Sequence, residues 1–152
     1  MKFLVDCMLG KLAKVLRLLG HDTFYYQGKD MYLLYQLARQ EGRIILTRNT
    51  QLLAKRPEDQ VVRIREDQPD LQVRELIRKG YVTLDEGRPF SRCLLCNALL
   101  AEISREDVQG KVPDYIFYHQ QEFFQCPRCG RIYWPGTHHQ NMRKSVFKFF
   151  EP

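Results

Sequence analysis

Four of the five cysteines stand in two pairs of equal spacing, Cys93 with Cys96 in RCLLCN and Cys126 with Cys129 in QCPRCG. A two-residue spacer lets one tight turn aim two thiolates at a common point, and four such ligands satisfy a tetrahedral zinc ion. With sulfur at every position no place is left for water, so the zinc that this pattern predicts is structural. The pairs are separated by 29 residues, more than the roughly 15–20 usual between such knuckles. That gap leaves room for an inserted helix, and SREDVQG at 104–110 reads as one, with Ser104 as its cap. Disulfides are the competing reading, but they need an oxidising compartment. A segment this short buries little core, so the metal would supply much of its folding free energy. Cys7 is the odd cysteine; no histidine stands near it in sequence to activate it, and it reads as a small packed residue.

A second set of chemically able residues follows short apolar runs. In RIILTRNTQL, residues 43–52, Ile44, Ile45 and Leu46 look like a strand buried on both faces, and the chain then turns polar at Thr47, Arg48, Asn49 and Thr50. Asp6 follows Phe3–Leu4–Val5 in the same way.

The elements that must position these groups are legible from periodicity. Met8 to Leu19 puts Leu9, Leu12, Leu16 and Leu19 on one helical face and Lys11, Lys14 and Arg17 on another, with Gly20 as a stop. Thr23 to Tyr26 is β-prone. Asp30 can cap a helix through Leu33, Leu34, Leu37 and Ala38 that ends at Gly42. Ile44–Thr47 is a strand, Thr50 to Lys55 a short helix, and Val61 to Ile64 a fourth strand. Asp70 to Arg78 is a helix with Leu71, Leu76 and Ile77 inward, closed by Gly80. Strands alternating with helices predict an α/β fold, a parallel sheet with helices on both faces. Such sheets bind ligands beyond the carboxyl ends of their strands, which singles out Asp6, residues 27–30, residues 47–50 and residues 65–67.

The expected organisation is an α/β domain over 1–81, a linker over 82–91 (VTLDEGRPFS) and a cysteine module with a basic tail over 92–152. The chain has 152 residues, 44% hydrophobic and 28% charged, a soluble globular composition. No apolar run approaches the roughly 18–20 residues needed to span a membrane. The start, MKFLVDCMLGKLAK, carries an acid and lysines through its apolar part and makes a poor signal peptide, so the expected location is the cytoplasm. Net charge is +6, with +4 on residues 1–90 and +2 on residues 91–152. From Phe123 to Phe150 there is no acid, but there are Arg128, Arg131, Arg143, Lys144 and Lys148, with Tyr133, Trp134 and Phe147 among them. Cations hold phosphates and aromatic faces stack bases, so this tail suits a polyanion; a solvated basic surface is the plainer alternative. Gln140 to Phe150 reads as a basic terminal helix, and His138 and His139 precede it.

FLVDCMLGKLAKVLRLLGHDT, the strand exit IILTRN, and SRCLLCNALL with CPRCGRIYWPGTHHQNM together resemble the Mut7-C RNase domain family, a PIN-like nuclease fold followed by a zinc ribbon. The resemblance covers nearly the whole chain. It implies acids gathered at the carboxyl edge of the sheet to hold Mg²⁺ or Mn²⁺. Asp6 matches the acid after the first strand, and Asp30 the acid opening the second helix, although Met31 and Tyr32 follow where many relatives carry further acids. Asn49 stands where the strand exit typically reads Thr-Arg-Asp, and Asp67 is placed to add an acid. The implied site is therefore Asp6, Asp30, Asn49 and Asp67, with Asp6 and Asp30 as ligands of the Mg²⁺ or Mn²⁺. RNA would be held by Arg48, Lys11, Lys14, Arg128, Arg131, Trp134, Arg143 and Lys144. An asparagine offers a metal an oxygen but no charge. One charge about 4 Å from a cation is worth on the order of 4 kcal/mol per unit of cation charge at an effective dielectric near 20. Three outcomes follow: a weaker or one-metal nuclease, compensation by Asp67, or a pocket that grips RNA without cutting it. The expectation is a metal-dependent ribonuclease with a structural zinc. The alternative is an RNA-binding module, working with a protein or ribonucleoprotein partner, that keeps the shape and has lost the chemistry.

Overall fold

The computed structural model describes residues 1–83 and 91–134. Most of the expected linker, the terminal helix with its Arg143 and Lys144, and His138 and His139 lie outside those residues.

Four short strands, β1 (Phe3–Val5), β2 (Thr23–Tyr25), β3 (Ile44–Thr47) and β4 (Val61–Arg63), run parallel in the order β2-β1-β3-β4. Their side chains alternate between faces. Phe3, Val5, Ile44 and Leu46 point to one side, where they meet Leu12 and Leu16 of α1 (Gly10–Leu18) and Val73 and Leu76 of α3 (Pro69–Arg78). Leu4 and Ile45 point to the other and meet Leu34, Tyr35 and Ala38 of α2 (Met31–Glu41). Burial on both faces is why these strands read as unbroken apolar runs. β1 lies between β2 and β3, so the chain leaves it in one direction and returns on its other side. The strand ends of β1 and β3 therefore flank the switch point where open α/β sheets bind ligands, and Asp6 and Thr47 stand there.

Asp30 caps α2 by accepting from Tyr32 N and Leu33 N, and Gly42 closes the helix in the left-handed region at φ 65°. The expected helix from Met8 is split. Asp6 accepts from Met8 N and opens a 3₁₀ turn, Cys7–Leu9, before α1 starts at Gly10. A Cβ at Gly10 would come within 2.9 Å of the Tyr25 hydroxyl, so a larger residue here would displace the Tyr25 side chain. Arg17 is not on the solvated face with Lys11 and Lys14; it is buried, donating from Nε to Thr23 O at 2.9 Å and from Nη1 to Leu94 O at 2.7 Å. Cys7 is exposed rather than packed. In α3 the core residues are Val73 and Leu76, with Leu71 half-buried.

No helix forms over residues 50–55. Asn49 accepts from Gln51 N through its side chain at 2.9 Å, and Asp59 captures Lys55 N and Arg56 N, both at 2.9 Å. The Asn49 bond is of the kind that caps a helix start, but the Lys55 N–H that would have continued a helix is taken by the Asp59 side chain.

A second, antiparallel sheet contains β5 (Ala101–Ile103), β6 (Phe123–Gln125) and β7 (Ile132–Tyr133). The long gap between the cysteine pairs holds α4 (Arg105–Val108), as the sequence implied, and also α5 (Asp114–His119). Val108, Val112 and Phe123 make a small core there, against which Trp134 packs half-buried. Among the described residues no helix is long and apolar enough to cross a membrane.

Candidate metal centre and strand-end site

The two cysteine turns are built alike. Cys93 N donates to Ala98 O and Asn97 N to Cys93 O; Cys126 N donates to Arg131 O and Gly130 N to Cys126 O, all at 2.9 Å. In each turn the residue after the second cysteine is left-handed, Asn97 at φ 66° and Gly130 at φ 78°. Cys96 N and Cys129 N aim at Cys93 Sγ and Cys126 Sγ, at 3.4 and 3.5 Å. The four sulfurs lie within 4.8 Å of one another, with Cys93 and Cys129 at 3.8 Å. Zn–S bonds of about 2.3 Å put tetrahedral sulfurs about 3.8 Å apart, so the cage suits zinc with little movement.

Tyr133 completes it, a residue the sequence marked only as an aromatic in the basic tail. Its hydroxyl lies 3.0 Å from Cys93 Sγ and accepts from Leu94 N at 3.3 Å. Facing a thiolate, the hydroxyl donates. Burial pushes the Cys93 thiol up, but the Tyr133 hydrogen bond and the N–H groups of Cys96 and Leu95 outweigh it and bring it to about 7. Hydrogen bonding to Cys129, then burial, push Cys96 up to about 12. The proton on Tyr133 is held more tightly than usual, through burial and the neighbouring Cys93. A tyrosine that holds its proton is a lasting donor to a ligating sulfur.

At the switch point the central group is Asp6, which is 6% exposed. Its Oδ1 accepts from Met8 N at 3.1 Å, and its Oδ2 accepts from the fully buried Thr47 hydroxyl. Thr47 Oγ1 in turn accepts from Asn49 N at 2.9 Å. Strand exit β3 is thus wired to the carboxylate after β1. Arg48 is half-buried and donates to Glu66 O at 2.7 Å, which ties the same exit to the turn after β4. That turn is held by Glu75, whose carboxylate accepts from Arg65 N and Glu66 N and pairs with Lys79 at 2.7 Å.

The other residues named from the sequence fall as follows. Asp30 is exposed, with Oδ1 committed to the cap of α2. Asp67 is exposed one residue beyond Glu66, and Lys11, Lys14, Arg128 and Arg131 are exposed. Trp134 meets Phe123 edge-on, with ring centroids 6.4 Å apart. Among the described residues, the four cysteines are the one gathering of three or more candidate ligands. The oxygen donors at the switch point are a buried carboxylate, the Thr47 hydroxyl and the neutral Asn49 carboxamide two residues on. They are hard donors carrying a single negative charge. This set fits one hydrated Mg²⁺ or Mn²⁺, which keeps most of its waters, and does not fit a pair of ions that would need several acids between them.

The molecule is thus a parallel α/β protein with four cysteines gathered so that they could hold a metal ion, and a buried carboxylate at its switch point. The family described as the Mut7-C RNAse domain matches residues 1–146, nearly the entire chain, and the chain belongs to that family. No curated protein and no solved structure matches it.

Proposed function

We propose that the protein is a metal-dependent ribonuclease of PIN-like architecture that hydrolyses RNA phosphodiesters at the carboxyl edge of its parallel sheet, with a structural zinc in the four-cysteine centre. The observation that carries this reading is the Asp6–Thr47 contact at the switch point, in a chain of an RNase domain family. Asp6 would be the principal ligand of one Mg²⁺ or Mn²⁺. Asp30 would add a second acid to the single charge of the switch-point donors, since its Oδ2 takes no hydrogen bond among the described residues. When bound, such an ion neutralises charge on the phosphodiester oxygens and lowers the pKa of its water. Thr47 fixes the Asp6 carboxylate, Asn49 contributes a neutral oxygen, and Asp67 is a further acid on the turn tied to Arg48. Lys11, Lys14, Arg128, Arg131 and the tail cations Arg143 and Lys144 supply counter-charge for the RNA backbone, with Trp134 beside them. A reducing cytoplasm keeps the cysteines free for zinc.

A second reading is favoured by one observation: no three acids gather among the described residues, and Asn49 is neutral. On that reading the protein grips RNA without cutting it. A labelled single-stranded RNA pool incubated with Mn²⁺ separates the two. The ribonuclease reading expects slow cleavage by the wild type, none by Asp6→Asn, and about tenfold or more gain in Asn49→Asp, because an added charge beside a cation is strongly favourable. Salt-sensitive binding with no cleavage by the wild type would establish the second reading instead.

A further inference from the structure

A groove of about 450 Å³ runs between α1 and the first cysteine turn. Its lining includes Lys11, Lys14 and Arg17 and no carboxylate. Lys11 and Lys14 are three apart on one helical face, both exposed, and neither has an acidic partner among the described residues. Arg17 adds a fixed charge, its guanidinium pinned by Thr23 O and Leu94 O. Opposite the lysines stands Leu95 on the cysteine turn, 49% exposed. Tyr25 forms one wall: its hydroxyl donates to Cys7 O at 2.8 Å, and its ring lies against Gly10. Cys7 is the residue after Asp6, so this wall ends at the strand-end site.

The chemistry distinguishes ligands. A free phosphate has no use for Leu95, and an apolar ligand has none for two uncompensated ammonium groups. A nucleotide uses both, phosphate on the lysines and base against the leucine, while Gln27 in the lining offers an amide to a base edge. The volume falls in the range of about 300–1,000 Å³ that holds one compact ligand, and a duplex, whose bases are stacked inside, cannot enter it.

From this we infer that the groove between α1 and the first cysteine turn binds one unpaired nucleotide of the RNA strand adjoining the strand-end site, with Lys11 and Lys14 on its phosphate and Leu95 and Tyr25 against its base. The inference rests on the ribonuclease reading for its ligand class. It gives the zinc a second task, which is to hold Leu95 in place as one wall of the RNA site.

The test is fluorescence anisotropy on the zinc-loaded full chain without Mg²⁺ or Mn²⁺, using a labelled RNA strand of roughly 12 nucleotides, its abasic counterpart and a duplex. Lys11→Glu with Lys14→Glu should weaken strand binding tenfold or more and flatten the slope of log K against log salt by about 1.4, the share of two phosphate contacts on a single strand. Leu95→Ser should weaken the base-bearing strand about threefold or more, the size expected for losing a methylene or so of apolar contact, and leave the abasic strand unchanged. The pair Arg63→Glu with Arg78→Glu makes the same charge change on β4 and α3, at exposed positions, and should do much less. Unchanged zinc content and melting temperature certify each variant as folded. Equal losses from both charge pairs, equal effects of Leu95→Ser on base-bearing and abasic strands, or preference for the duplex would overturn the inference. Failure of the groove variants to weaken a wild type that binds RNA removes the groove alone; a wild type that binds no RNA removes the ribonuclease reading with it.

Discussion

Thr47 is the residue on which the strand-end site turns. Every side chain of β3 is buried, and Thr47 alone carries a hydroxyl there, donated to Asp6 and accepting from Asn49 N. Valine has nearly the same shape and no hydroxyl, so Thr47→Val leaves a buried carboxylate short of a donor, a cost of about 1–3 kcal/mol. At about 2–4 °C per kcal/mol for a chain of this size, thermal melting should drop by several degrees, while Thr47→Ser should recover most of the loss. Melts of wild type and Thr47→Val that coincide would show that the contact carries no weight. Tyr133 plays the parallel part at the metal centre. Tyr133→Phe removes only the hydroxyl facing Cys93 Sγ, and outer hydrogen bonds of this kind typically tune metal affinity about 10–100-fold. Competition with a chromophoric zinc chelator should show a loss of that order; unaltered affinity would mean the hydroxyl serves only Leu94 N.

Elements explain which features the sequence could disclose. The parallel sheet, the α2 cap at Asp30 and its end at Gly42, and the two cysteine turns depend on spacing within a few residues, and periodicity exposes them. The missing helix after Asn49 was hidden because the Lys55 N–H it needed is taken by Asp59, four residues further on. Asp59 also binds Arg39 through both oxygens, at 2.7 and 2.9 Å. Those Arg39 bonds, then the Lys55 and Arg56 N–H groups, hold the Asp59 carboxyl well below the usual aspartate range. A depressed carboxylate stabilises the fold fully above its unfolded value near about 4 and loses that contribution as pH falls toward the lower native value. The stability gap between wild type and Asp59→Asn, measured by urea midpoints, should therefore be wide at neutral pH and shrink below about pH 4. A gap independent of pH would contradict it. The strand-end site was legible in part. Asp6 and Thr47 could be placed at strand ends from the text, but contact between side chains 41 residues apart is a property of strand order, which local periodicity does not encode.

At the scale of the molecule, the two sheets are joined by polar contacts that only the assembled chain reveals. Asn97, left-handed after Cys96, accepts from Thr23 N at 3.0 Å and donates to Asp22 Oδ1 at 2.7 Å; Arg17, 77 residues before Leu94, spends its guanidinium on Leu94 O and Thr23 O. This explains asparagine where the second turn has Gly130: both tolerate the left-handed conformation, and only asparagine can also dock. It also ties the four-cysteine site to the α/β sheet. If the metal leaves and the first cysteine turn loosens, Leu94 O withdraws and a buried cation in α1 loses one of its two acceptors. Hydrogen bonds to charged groups are worth about 1.5–3 kcal/mol each, so stripping zinc should destabilise the parallel sheet itself, seen as faster amide exchange in α1 and β2 and a lower melting temperature. Methionine fills much of the space of arginine but donates nothing to Thr23 O or Leu94 O, so the variant gives up both bonds at the outset. Arg17→Met should therefore melt below the zinc-loaded wild type yet lose less than the wild type when zinc is removed. Equal sensitivity to chelation in both proteins would mean that the coupling runs through Asn97 or not at all. An α/β sheet whose exchange and melting ignore the chelator would show that the two sheets fold as strangers.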